Sequence, residues 1–177
     1  MKSHRQVKKL NQQDSFHLQA AEGWFELGDP VSAFNELDEI TPEERGHPAV
    51  LVMRYEIYAQ AGKWDVAFSI AEILHRLLPE DVESWLNLAC SVRRKKGGGA
   101  RDALDILLEA EPKFPKEYLV HYNLACCCAQ LRQFDEAEKW FRKAMELEEM
   151  KVKVMAVDDP ELSPLWDSMK TTFWKRL

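Results

Sequence analysis

Val31-Ser32-Ala33-Phe34, Asp65-Val66-Ala67-Phe68, Arg101-Asp102-Ala103-Leu104 and Asp135-Glu136-Ala137-Glu138 set an alanine in the same surroundings four times along the chain. The alanines lie 34, 36 and 34 residues apart. A period near that length with helical patterning belongs to a unit of two helices and a turn. Such a unit cannot bury its apolar face alone, and stacking on its neighbours completes the core.

Outward from each alanine the helix ends can be read. The first pair is predicted from Asp14 to Leu27, with a turn at Gly28-Asp29-Pro30 and a return to about Ile40. The second begins near Pro48, turns at Ala61-Gly62-Lys63 and ends at Leu78-Pro79. The third starts at Asp81, a residue type that caps helix N-termini. It turns through Lys95-Lys96-Gly97-Gly98-Gly99, read as a loose turn, and stops before Pro115. The fourth runs from Lys116 to about Leu131, turns at Arg132-Gln133 and resumes at Phe134. Proline cannot continue a helix, so Pro79 and Pro115 mark ends. The fourth unit has Glu149 in that place, and its second helix is predicted to run on to about Val157. Asp158-Asp159-Pro160 then breaks the chain. Leu165, Trp166, Met169, Phe173 and Trp174 share one face of a last helix, about Leu162 to Trp174, predicted to cover the open end of the stack.

The chain is long enough to bury roughly 70% of its unfolded surface. Apolar residues make up 46% and charged residues 31%, and the net charge is −6. An acidic balance argues against nucleic acid as the partner. No stretch approaches the ~20 apolar residues of a membrane helix. The basic start, Met1 to Lys9, lacks the apolar run of a secretory signal and reads as a tail. Cys90, Cys126, Cys127 and Cys128 do not make a disulfide framework, because adjacent cysteines on a helix point in different directions. A cytoplasmic location is expected.

From about Asp14 to Glu149 the chain resembles the tetratricopeptide repeat proteins. Trp85, Leu88 and Ala89, then Ala103, Leu107, Ala110 and Pro115, occupy the family's positions in the third unit. Leu124, Ala125, Phe134, Ala137, Phe141 and Ala144 do so in the fourth. Tyr58, Gly62, Trp64, Ala67, Leu74 and Pro79 match in the second, and Ala21, Trp24, Gly28, Ala33, Leu37 and Ile40 in the first. Small residues let paired helices approach, and Trp24, Tyr58, Trp64, Trp85, Phe134 and Phe141 fill the space between pairs. Arg54-Tyr55 replaces the usual leucine and small residue, so the second pair is expected to splay. The resemblance implies an all-α, right-handed α-α superhelix of antiparallel pairs at about 14–47, 48–81, 82–117 and 118–151, between a tail at 1–13 and a capping helix at 158–177.

In this family the first helix of each unit lines a concave groove. That carry-over selects Leu18, Glu22, Phe25 and Glu26; Val52, Glu56, Ala59 and Gln60; Glu83, Leu86, Asn87, Cys90, Arg93 and Arg94; and Leu119, Tyr122, Asn123, Cys126 and Gln130. Asn87 and Asn123 stand where family members hold a ligand's backbone, as an amide both donates and accepts. Glu22, Glu26, Glu56 and Glu83 make one half of the groove acidic, and Arg93 with Arg94 makes the other locally basic. A peptide or helix with apolar anchors and ends of opposite charge would complement it. Leu18 and Glu22 stand where the carboxylate-clamp subtype wants lysine and asparagine, which argues against that subtype.

Catalysis finds little support. Glu22 and Glu26 share a face, but no nucleophile, base or phosphate loop accompanies them. Cys90 and Cys126 share a groove position on helices about 8–10 Å apart, too far for a disulfide. His17 and His121 fall at packing positions. The sequence thus reads as a non-enzymatic binder of a protein segment, with no cofactor or metal. Two alternatives stand beside it: a self-assembling scaffold docking through Trp166, Phe173 and Trp174, and nucleic-acid binding through the basic turn from Arg93 to Arg101.

Overall fold

The computed structural model describes residues 9–168. Met169, Phe173 and Trp174 of the expected last helix lie outside them, as does the basic stretch up to Lys8. All regular structure among the described residues is helical: α1 (Gln12–Glu26), α2 (Pro30–Glu39), α3 (Pro48–Gln60), α4 (Trp64–Leu77), α5 (Val82–Arg94), α6 (Ala100–Ala110), α7 (Tyr118–Gln130), α8 (Phe134–Val157) and α9 (Ser163–Ser168). They fall into two compact units that divide after Pro79.

In the first unit α1 packs on α2, and α3 packs on α4. The helix starts follow local chemistry. The Asn11 side chain accepts the Asp14 N–H, and Asp29 accepts both the N–H and the hydroxyl of Ser32 ahead of α2. Pro30 and Pro48 occupy first helical positions, where no N–H is needed. Leu18, Ala21, Ala33, Leu37, Ile40, Val50, Met53 and Ile57 form the core. Asp14 is buried with them. Its carboxylate accepts the Thr41 N–H at 2.9 Å and the Thr41 hydroxyl at 2.7 Å, tying the start of α1 to the end of α2. Those two bonds hold Asp14 below the usual carboxylate range. Three residues depart from the sequence reading. Trp24 is 41% exposed rather than filling a gap between pairs. Tyr55 is buried, while Arg54 reaches back to the Asp38 carboxylate at 2.8 Å and lies over the Phe34 ring. Arg54 therefore spends its charge on α2.

In the second unit α5 packs on α6, α6 on α7, and α7 along α8. Ala89, Ala103, Ala125 and Ala137 are buried at the close approaches, and Trp85 and Phe141 fill the larger spaces. Asp81 precedes α5 but makes no side-chain cap bond. Instead its carbonyl accepts the Ser84 hydroxyl at 2.7 Å. The glycine-rich turn is tight, not loose. A Cβ on Gly98 would stand 1.9 Å from the Val92 carbonyl oxygen, so only glycine fits. α8 runs to Val157 but leaves helical geometry at Glu148 (φ −146°, ψ 68°). The chain turns after Val157, and α9 packs on both α7 and α8. Leu162 and Leu165 are buried, and Trp166 meets Phe141 edge-on at 5.1 Å.

Candidate functional site

Three of the groove residues predicted on α5 and α7 are Arg93, Arg94 and Tyr122. All three turn toward the stretch that follows α8. Asp159 begins a helical turn there, its Oδ1 accepting the Glu161 N–H at 2.8 Å with Pro160 between them. The Asp159 carbonyl accepts the Leu162 N–H at 3.2 Å, closing the turn. This is a turn closed on an aspartate side chain, with proline after the aspartate, and it leads into α9.

The two carboxylates of that turn meet the predicted groove. Tyr122 donates its hydroxyl to Asp159 Oδ2 at 2.6 Å, and the Cys126 thiol lies 3.6 Å from the same oxygen. Arg93 Nη2 pairs with Glu161 Oε2 at 2.5 Å, and Arg94 Nη2 with Glu161 Oε1 at 2.7 Å. Gln130 donates to the Glu161 carbonyl at 2.7 Å. Each Glu161 oxygen thus has its own guanidinium, and the backbone is read as well. Charge-assisted contacts of this kind are stronger than neutral ones.

The electrostatics follow from burial and neighbours. The Arg93 side chain is 9% exposed. Burial, the largest single influence, pulls its pKa down, but the Glu161 carboxylate together with Cys127, Cys126 and Cys90 more than offsets that, so the pKa is raised and Arg93 is cationic throughout. Burial, then the bond to Asp159, pushes the Tyr122 phenol up, which keeps it a donor. Burial raises the Cys126 thiol well above its ordinary value and the Cys127 thiol to about 11. Protonated buried thiols are poor nucleophiles. Cys126, Asp159 and Glu161 do have ligand atoms within 4.8 Å of one another. A cation there would face Arg93 and Arg94, so the donor set fits guanidinium better than metal.

The other predicted residues are distributed as follows. On α7, Asn123 donates to the Leu119 carbonyl at 2.9 Å within its own helix, which engages one of its amide donors. Leu119 and Asn87 are half-buried, and Leu86 is buried. Cys90 accepts Arg94 Nη1 at 2.8 Å. Glu83 is exposed as a whole residue, yet partial burial of its carboxyl, with Asp81 and Glu117 nearby, raises its pKa. In the first unit Glu22, Glu26, Glu56 and Gln60 are exposed, and Val52 and Ala59 are half-buried. Leu18 belongs to the core, with Phe25 packed against it. His121 is buried, stacked on Trp140 and bonded to the Pro115 carbonyl, while His17 pairs with Glu36. Sequence reasoning treated Asp158-Asp159-Pro160 only as a chain break and gave Glu161 no role. The signal that could have found them was charge complementarity between this acidic run and the arginines at the end of α5.

Residues 118–150 match the tetratricopeptide repeat family model. The fold is shared with TTC0263, a thermophilic tetratricopeptide repeat protein of Thermus thermophilus, at a TM-score of 0.70 and 19% identity over 88% of this chain and 82% of that one. MamA (41-end) from Desulfovibrio magneticus RS-1 superposes at 0.69 with 16% identity, over 95% of this chain and 98% of that one. PilW, a widely conserved type IV pilus biogenesis factor, does so at 0.67 with 15% identity, over 94% and 82%. No curated protein matches the sequence. The chain is therefore a small all-helical repeat protein with the tetratricopeptide solenoid fold, and its fourth pair is a repeat of that family by sequence as well. Among the described residues no helix is long and apolar enough to cross a membrane.

Proposed function

We propose that the chain is a non-enzymatic protein–protein interaction module whose first-helix faces hold segments of another protein. The observation that carries this reading is the acidic turn seated on α5 and α7, where side chains of Arg93, Arg94, Tyr122 and Gln130 read two carboxylates and a carbonyl. Leu86, Asn87, Cys90, Leu119, Asn123 and Cys126 complete that face. On the first unit Glu22, Glu26 and Glu56 are exposed, with Phe25 and Val52 half-buried beside them. Acidic groups around apolar anchors suit a basic segment. The four cysteines are thiols, three of them buried. That favours a reducing compartment, and we take the chain to act in the cytoplasm.

The test uses the full chain immobilised against native lysate, beside a Glu22→Lys, Glu26→Lys, Glu56→Lys chain with an unchanged helical spectrum. A protein held by the wild type is expected to be lost by the variant, and cross-links from α1 and α3 should fall in a basic segment of it. Capture of the same proteins by both chains would refute the assignment of this face.

A further inference from the structure

We propose that the turn at residues 158–162 is an internal ligand. It occupies the α5 and α7 face that binds, in a partner protein, an acidic turn of the pattern Asp-Pro-Glu-Leu. This rests on the interaction-module reading and adds both the partner's chemistry and a mode of self-occlusion.

A cap needs only apolar burial, and Leu162, Leu165 and Trp166 supply it. The polar contacts go beyond capping. Burying a guanidinium is costly, and an apolar residue would serve stability as well. Arg93 is nonetheless buried and committed to Glu161, with Arg94 on the second oxygen. Tyr122 selects a carboxylate two residues earlier, and Gln130 reads the backbone between that pair and Leu162. Two carboxylates at a fixed separation, one carbonyl and one leucine make up a recognition pattern. It is set in a hydrogen-bonded turn just ahead of α9.

The occupant is also exchangeable. Glu161 and Arg94 keep contact with solvent, at 22% and 32% exposure. Arg93 Nε is buried without an acceptor among the described residues. A partner segment that adds an acceptor there gains a contact the internal turn does not make. A tethered ligand competes at a high effective concentration, so the free chain is closed to weak acidic segments and opens to strong ones.

The probe is a labelled synthetic peptide copying residues 156–168, titrated by fluorescence anisotropy into the full chain. An Asp159→Asn, Glu161→Gln chain has a loosened internal turn. The peptide should bind it about tenfold more tightly than wild type, because apparent affinity scales with the open fraction. Adding Arg93→Ala to that chain should abolish binding, and a peptide with glutamine at the position copying Glu161 should not bind. Equal binding to wild type and variant, binding to neither, or binding indifferent to Arg93→Ala overturns the proposal. If the variant loses its helical spectrum, hydrogen exchange on the wild type decides. Saturating peptide should speed exchange at residues 160–168 and leave α5 and α7 protected, and unchanged exchange overturns the proposal. A concentration-dependent dimer of the wild type that disappears in the variant would assign the face to a second copy and overturn a separate partner. The lysate experiment reads α1 and α3, so a negative peptide result with capture intact removes this inference alone.

Discussion

Arg132 holds φ at 59° in the turn between α7 and α8, the left-handed region that side chains avoid. Gly28 and Gly62 occupy the corresponding place between α1 and α2 and between α3 and α4, at φ 80° and 68°. All three turns close alike. Gly28, Gly62 and Arg132 donate to the carbonyls of Phe25, Ala59 and Ala129, and the next residues donate to those of Trp24, Tyr58 and Cys128. This is a Schellman closure, in which glycine is preferred. Arg132→Gly is therefore expected to stabilise the chain by about 0.5–1 kcal/mol, the relief of strain being partly offset by glycine's freedom in the unfolded state. A urea midpoint that rises at constant slope checks it, and a fall would show that the arginine side chain contributes more than its backbone costs. The two glycine turns were legible in the sequence because glycine announces the conformation. The fourth was placed only by period, since arginine carries no such mark.

At the level of elements, helix positions followed from the spacing of alanine, proline and glycine, because each signal is local. The glycine run after α5 was legible as a turn but not as a packed one, since sequence does not show which backbone atom lies against which glycine. Gly98 and Gly99 differ sharply in the structure. A Cβ at Gly98 would collide with the Val92 carbonyl, whereas one at Gly99 meets nothing within 4 Å, and φ there is an extended −179° that any residue adopts. Gly98→Ala should cost about 1–3 kcal/mol through overpacking, and Gly99→Ala should stay within about 0.5 kcal/mol of wild type. Thermal unfolding of the two variants side by side is the measurement, and equal melting points would mean that the α5–α6 turn relaxes freely. The docking of residues 158–162 was illegible for a related reason. It depends on contacts between positions more than thirty residues apart, such as Arg94 with Glu161, which no local pattern encodes.

At the scale of the whole chain the two units carry different chemistry at their most buried polar points, so acid should act on them unequally. In the first unit Asp14 is fully buried as an acceptor of two Thr41 bonds and one from Asn11, and its pKa is lowered mainly by Thr41. A carboxylate with a depressed folded pKa contributes stability that is fully present above its unfolded value, about 3.9. That contribution is lost as pH falls from there through the folded value, because the unfolded state then takes up the proton first. The first unit is thus expected to hold steady from neutrality down to about pH 4 and to weaken steeply below it. Asp14→Asn should melt earlier than wild type at neutral pH, and the gap should narrow as the wild-type carboxylate protonates. Hydrogen exchange followed peptide by peptide from about pH 6 to about pH 3, corrected for the intrinsic rate, distinguishes the units: α1 and α2 should lose protection in wild type over the acid range while the variant changes less. A gap that stays constant with pH would mean that Asp14 acts through shape alone, and the polar tie between α1 and Thr41 would then carry no electrostatic share of the unit's stability.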